Sequence, residues 1–524
     1  MGQGDAVSPA LTRRAFLAAP LALAGCEEGA EIPGGFAGAS MERGHRLREA
    51  LSSASPAVTH RVHTVIAGGG VAGLAAARAL RQRGVQDIAL LELEDQPGGN
   101  SRPGVLGGIA CPQGAHYLPL PSDAAPEVQA LLEELGLRRR VAGRWVYDER
   151  HLCHAPQERL WIEGQWQEGL LPLVGAGATR LAQYARFARE VAAAGREGAF
   201  RIPLRAPQRL KPWDGETFAA WLDARGLTDP HLRWYLDYCC RDDYGAGTAT
   251  VSAAAGLHYF AARHGFRAPG FDMSTDYEGL LTWPEGNGWL TRALARPLGD
   301  RVHTGRIVTR IESQRHGVEV DAIDAATGRM ARWQATQCIV ALPAFIAARV
   351  VVNAPPPLVA LARRVRHAPW LVVNLHLKAP PRDRVHAGMP LAWDNVLHGT
   401  TDALGYVVAT HQSLNPAPGP TVLSWYLAPG EAARAEVLRQ PWTHWRDRAL
   451  TELAAAHPHI EDQVTQVQVA RYGHAMPIPV PGLLSGLPPP PDSARLKFAH
   501  GDWSGYSIFE EAFARGHAAG GGVA

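Results

Sequence analysis

Lysine is almost missing from this chain. Of its 52 basic residues only Lys211, Lys378 and Lys497 are lysines, and arginine supplies the rest. With alanine abundant, the shortage reads as codon bias. An excess of either charge is missing too: 52 basic residues meet 50 acidic ones, a formal charge of +2. That balance excludes a protein living on attraction to nucleic-acid phosphates, which needs a strongly basic domain or stripe. No apolar run reaches the roughly 18 residues of a membrane-spanning helix. What is present is 524 residues, 46% of them hydrophobic, enough for about three domains' worth of chain or one interleaved enzyme.

The N-terminus reads as an address. Thr12-Arg13-Arg14-Ala15-Phe16-Leu17 sets an arginine pair before an apolar run too short to cross a bilayer, ending in Leu23-Ala24-Gly25-Cys26. The pair resembles a twin-arginine signal and the ending resembles the lipobox of bacterial lipoproteins. That resemblance implies export in a folded state, cleavage before Cys26, lipid on that cysteine and a periplasmic, membrane-anchored protein. Residues 26–57 are rich in glycine and read as a tether, with a short helix expected around Met41–Leu51.

The body begins near Arg61. Arg61-Val62-His63-Thr64-Val65-Ile66-Ala67 is a β-rich run ending in Gly68-Gly69-Gly70-Val71-Ala72-Gly73, and Leu74 to Arg83 follows at helical spacing. In a strand, glycine turn and helix of this kind, Gly68 permits the turn, Gly70 lets backbone approach a pyrophosphate and Gly73 lets helix pack on strand. The helix N-terminus then offers free N–H groups to the phosphates. A second strand, Ile88-Ala89-Leu90-Leu91, ends in Glu92, where a carboxylate accepts from a ribose diol and repels a 2′-phosphate. The spacing points to a dinucleotide.

Glu92-Leu93-Glu94-Asp95-Gln96-Pro97-Gly98-Gly99-Asn100-Ser101-Arg102 and, far downstream, Phe498-Ala499-His500-Gly501-Asp502-Trp503 with Glu510-Glu511-Ala512 and Gly516-His517-Ala518-Ala519 complete a pattern. It resembles the flavin amine oxidase superfamily of monoamine and polyamine oxidases, phytoene desaturases and protoporphyrinogen oxidases. Pro284–Leu290, Gly305–Ile311 and Gln337–Pro343 match further islands in the same order. The resemblance implies an α/β fold: a Rossmann-like FAD/NAD(P)-binding domain interleaved with an α+β substrate-binding domain. It divides the chain into a signal (1–25), a lipidated tether (26–57), FAD-binding parts (58–118, 283–345, 473–524) and substrate-domain parts (119–282, mainly helical; 346–472, a sheet). It also implies FAD held by Gly68, Gly70, Val71, Ala72, Gly73, Glu92, Gly98, Gly99, Asn100, Arg102, Ile307, Gly501 and Asp502.

The departures bear on function. Many members carry a lysine beside the flavin; in Trp370-Leu371-Val372-Val373-Asn374-Leu375-His376-Leu377-Lys378 its place falls on Asn374. Strand parity puts His376 on the same face, as a candidate proton acceptor or a packed histidine. Tyr506 is the candidate for an aromatic wall beside the flavin, or a structural tyrosine at the domain interface; the family's second cage tyrosine is missing before Pro481-Gly482. Asp237, Asp242 and Asp243 could steer a cationic amine, or Asp242 and Asp243 cap or pair with Arg241 at a helix end. Cys239 and Cys240 read as buried thiols or a vicinal disulfide, and the His151/His154 and His457/His459 pairs lack further metal ligands. The expected activity is hydride transfer from a C–H bond of a small substrate, such as an amine or polyamine, to FAD, with dioxygen or another acceptor taking the electrons. The alternatives are a desaturase or protoporphyrinogen-oxidase-like dehydrogenase, and a lipid-anchored flavoprotein without turnover of its own.

Overall fold

The computed structural model describes residues 1, 32–48, 56–263, 265–269, 279–384, 389–400, 402–413 and 417–521. The elements below lie in the compact unit Pro33–Ala524. They form a mixed α/β fold organised on two large sheets.

At the centre of the first sheet, Ile88–Leu91 and the last four residues of Val58–Ala67 are continuously buried, the pattern of strands covered on both faces. Its order is Val302–His303, Ile88–Leu91, Val58–Ala67, Met330–Val340, Gly317–Asp324, Arg306–Gln314, with Leu496–Phe498 also pairing Met330–Val340. The pairs around Val58–Ala67 are parallel, while Arg306–Gln314, Gly317–Asp324 and Met330–Val340 run antiparallel. The helix Val71–Gln82 leaves Val58–Ala67 through the glycine turn and lies against the helix Phe509–Ala519. A side chain on Gly516 would stand 1.9 Å from the Ala72 carbonyl, so the two ends of the chain meet backbone to backbone.

The second sheet has eight strands, in the order Gly34–Ala37, Val464–Ile478, Arg366–Leu377, Thr421–Leu427, Ala403–Val408, Asp394–Leu397, Glu158–Ile162, Gln165–Glu168. Helices Ala178–Arg196, Phe218–Ala224, Pro230–Tyr244 and Ala253–Ala261 share its main hydrophobic cluster. Thr217 caps the second of these by accepting from Ala220 N–H, and Asp229 caps the third.

One expectation is corrected here. Residues 33–48, assigned to a tether on their glycines, are built into the fold: Gly34–Ala37 pairs in parallel with Val467–Ala470, and Ser40 N–H donates to Glu94 Oε1 at 2.9 Å. Gly34 is small because of crowding, since a Cβ there would meet the Trp442 ring and the Val467 carbonyl at 2.6 Å. The expected helix is Met41–His45 followed by a tighter turn, Arg46–Arg48. Cys26 and the arginine pair lie outside the described residues. The five described cysteines, Cys239 and Cys240 among them, are buried and none is in a disulfide.

Candidate functional site

Two adjoining cavities, of about 460 and 630 Å³, share the walls His116, Tyr117, Pro119, Asp242, Arg263 and Tyr426. The first is floored by the glycine turns. Gly68 has φ +104°, and a side chain there would strike the Ala341 carbonyl at 2.4 Å; one on Gly73 would strike the Gly68 carbonyl at 1.9 Å. Gly70 is different: its missing Cβ would meet only Gly99 Cα, at 3.8 Å, so it leaves open space inside the cavity. The helix Val71–Gln82 begins there with no capping side chain and no acid in its first turn. Its free N–H groups make an anion site.

Gly98 N–H donates to the Gly69 carbonyl at 2.8 Å, tying the second glycine turn to the first. Gly98, Gly99 and Asn100 all line the cavity, and Asn100 Nδ2 donates to the Ala475 carbonyl at 2.5 Å. Glu92 closes this end. Its Oε2 accepts from Gly69 N–H at 2.8 Å and its Oε1 from Glu94 N–H at 2.9 Å, leaving one lone pair on each oxygen for a diol. Burial pushes this carboxyl up, against the two N–H donors and Arg102. Arg306 and Val308 line the same end. The Oδ1 of Asn287, a buried wall residue, has no hydrogen-bond partner. A glycine cradle, an uncapped helix N-terminus, a diol acceptor and a long cavity fit FAD.

The remaining expected residues fall elsewhere. Arg102 is buried behind the turn, with Nε donating to Gly99 O at 3.1 Å and Nη1 3.6 Å from Glu94 Oε1. Ile307 turns its side chain into the core beneath the sheet, between Arg306 and Val308. Gly501 lines the cavity but Asp502 turns away from it: Oδ2 accepts from Ala344 N–H at 2.7 Å, and Oδ1 lies 3.1 Å from His367 Nε2 and 3.2 Å from His500 Nδ1. Burial opposes its charge, yet the two histidines hold this carboxyl well below the usual range.

The three catalytic candidates lie outside both sets of cavity walls. Asn374 is fully buried, donating from Nδ2 to Pro112 O at 2.9 Å and accepting from Ser424 Oγ at 2.5 Å. Its strand reaches the cavity at His367 and Trp370 instead. Four residues at about 3.3 Å each carry Asn374 roughly 13 Å past Trp370. His376 contacts Thr465 Oγ1 at 2.5 Å and packs over Gly107. Tyr506 is a core tyrosine whose hydroxyl donates to Glu511 Oε1 at 2.5 Å, and burial raises its pKa.

The second cavity is a chamber of which the sequence singles out only Asp242. Its aromatic walls include Tyr117, Tyr235, Tyr238, Tyr259, Trp393 and Tyr426, and its carboxylates are Asp242, Asp394, Glu158 and Glu168. Of the three aspartates on the helix Pro230–Tyr244, it is Asp237, one turn earlier, and not Asp242 or Asp243 that pairs with Arg241 (2.6 Å), while Asp243 pairs with Arg263 (2.8 Å). Asp242 alone faces the chamber, accepting from Tyr117 OH at 3.2 Å. Burial and the neighbouring Asp243 push its carboxyl up to about 7. Asp394 is raised well above its ordinary value by burial, Glu158 and Asp242. His116, its ring tilted 31° to that of Tyr426 with centres 4.4 Å apart, is pushed down to about 3 by burial and stays neutral.

The family described as flavin containing amine oxidoreductase matches residues 71–519. A putative flavin-containing monoamine oxidase of Mycobacterium tuberculosis is 30% identical over 304 residues, 57% of this chain and 60% of that one, so the match spans less than two thirds of the relative. Coproporphyrinogen III oxidase of Mycobacterium leprae is 30% identical over 335 residues, covering 62% and 68%. Among solved structures, putrescine oxidase bound to putrescine superposes with TM-score 0.66 at 17% identity, covering 88% of this chain and 99% of that one. Cyclohexylamine oxidase from Brevibacterium oxydans does so at 0.63 and 18%, covering 88% and 98%. These two likenesses carry the fold.

Proposed function

The chain belongs to the flavin containing amine oxidoreductase family and is an FAD-dependent oxidoreductase, and from that premise we propose that it oxidises a cationic amine, one bearing a second positive charge. The carrying observation is the aromatic chamber beside the cofactor cavity, with Asp242 on the wall common to both and Asp394 and Glu158 lining the chamber alone. When bound, FAD supplies two-electron chemistry, accepting a hydride equivalent from a C–H bond. The chain does the rest. The N–H groups of Val71 and Ala72 hold the pyrophosphate, and Glu92 accepts from the adenosine ribose. The rings of Trp370, Tyr426 and neutral His116 exclude water from the reacting amine, where burial disfavours the ammonium form. Asp242, half-ionised near neutrality, takes the proton that the amine sheds, while the distant ammonium draws the raised Asp394 carboxyl back down to its ionised form and pairs with it.

A second reading, oxidation of a porphyrinogen, is supported by the likeness to coproporphyrinogen III oxidase. The four carboxyl groups lining the chamber outnumber its two arginines, Arg263 and Arg267, which favours the amine over a carboxylate-bearing macrocycle. Peroxide release from aerobic protein with mono- and diamines, set against porphyrinogen consumption, separates the two. Peroxide with diamines supports the amine reading, and turnover of porphyrinogen alone overturns it.

Export by a twin-arginine route and lipid on Cys26 in the periplasm stand as proposals from the sequence; among the described residues no helix is long and apolar enough to cross a membrane. The mass of the N-terminal peptide from exported protein tests them.

A further inference from the structure

The hairpin Arg138–Val141/Arg144–Tyr147 stands apart from both large sheets as its own two-stranded ribbon. Three of the chain's exposed large hydrophobic residues sit on it: Val141 (44% exposed), Trp145 (42%) and Val146 (37%). Arg139, Arg140 and Arg144 are exposed beside them. The register sets Arg139 opposite Val146 and Val141 opposite Arg144, so one face alternates arginine and valine. The other face carries Trp145, with the Arg138 guanidinium 3.8 Å and the Arg140 guanidinium 5.3 Å from its ring centre. Ala142 (φ +49°) and Gly143 (φ +80°) make the turn. Such turns favour Asn or Asp at the first position, and alanine there keeps the tip free of polar side chains.

Of the nearby acids, three are engaged, and exposed Glu149 follows the hairpin by two residues. Glu133 lies 3.6 Å from Arg138, Glu134 pairs with Arg78 at 2.7 Å, and Asp148 pairs with Arg150. Among the described residues no carboxylate comes within ion-pair distance of Arg139, Arg140 or Arg144. The hairpin is thus a local cationic, apolar and indole-bearing tip on a chain of nearly neutral charge. Arginines seated on phosphates, with Trp and Val entering the acyl boundary, is the composition that binds an anionic lipid surface. A nucleic-acid surface would match the arginines but not the exposed valines.

We infer that the hairpin 138–147 docks the protein on an anionic lipid surface. The inference is independent of the substrate reading and of any lipid on Cys26. The test uses the FAD-loaded full chain carrying Cys26→Ser, sedimented with phosphatidylglycerol/phosphatidylcholine vesicles or phosphatidylcholine alone across a salt series. The expected result is binding to the anionic vesicles only, weakening with salt. Arg139→Gln/Arg140→Gln/Arg144→Gln lowers it at least tenfold. Val141→Ser/Val146→Ser also lowers it, which a purely electrostatic contact would not show. The flavin absorbance and thermal midpoint report that the variants are folded, and the lipid and salt comparisons on the unsubstituted hairpin stand without them. Equal binding to neutral vesicles, no effect of either variant, or binding of duplex DNA in place of vesicles would overturn the inference.

Discussion

Tyr117 donates its phenolic proton to Asp242 Oδ2 at 3.2 Å, and both side chains face the wall common to the two cavities. The pair fixes a titrating carboxyl at the neck between the cofactor site and the substrate chamber. Its protonation decides how a cation is received there.

The pH dependence follows with a definite sign. The Asp242 carboxyl, pushed up to about 7 by burial and Asp243, keeps a proton that the unfolded chain releases near pH 4. Folding is therefore penalised progressively as pH rises from about 4 to about 7. Asp242→Asn removes the penalty, so thermal melts should place the variant above the parent by a margin that grows between pH 5 and 8. On the activity side, kcat/KM for a cationic amine should rise through about pH 7 in the parent, and that limb should vanish in the variant.

Gly70→Ala and Gly73→Ala should separate cofactor binding from folding. The Cβ at position 70 finds open cavity, with Gly99 Cα 3.8 Å away, and occupies space needed by the pyrophosphate. This variant should fold with a near-parental midpoint as apoprotein while FAD affinity falls at least tenfold, about 1.4 kcal/mol. At position 73 the Cβ would sit 1.9 Å from the Gly68 carbonyl, and soluble expression should be lost.

Glu92→Gln places an amide NH₂ where one oxygen now accepts from a backbone N–H, at Gly69 or Glu94. Loss of one hydrogen bond to a charged group should weaken FAD by about 1.5–3 kcal/mol, read by titrating apoprotein and following flavin fluorescence.

Asn374 and Tyr506 should act as structural residues. Asn374→Ala strands Ser424 Oγ and Pro112 O in the interior, and Tyr506→Phe removes a donor from Glu511, whose Oε2 already lacks a partner. Each should lower stability by about 1–3 kcal/mol in denaturant melts. KM and bound flavin per folded molecule should stay unchanged; a large rise in KM for either would return it to the substrate site.

The cofactor half of the site was legible because its requirements are local. A glycine that must pass a carbonyl, as at Gly68 and Gly73, or leave room for phosphate, as at Gly70, announces itself within six residues. The substrate half was not, because its walls come from separated stretches: Tyr117, Asp242 and Arg263, Asp394, and Tyr426. Where the resemblance put Asn374 at the lysine position and strand parity put His376 beside it, the strand's position along its axis decided the outcome, and His367 and Trp370 took the cavity. Glycine misled at Gly34, where it serves crowding against Trp442 and not flexibility.

The central claim, that the chamber holds an amine by a second charge, is tested by anaerobic rapid mixing of the FAD-loaded protein with putrescine or with butylamine, following loss of the visible flavin band. The account predicts reduction by putrescine at least about tenfold faster at subsaturating amine, roughly one charge-assisted hydrogen bond's worth, with the advantage lost in Asp394→Asn. Equal rates for the two amines, or bleaching by a porphyrinogen and by neither amine, would contradict it.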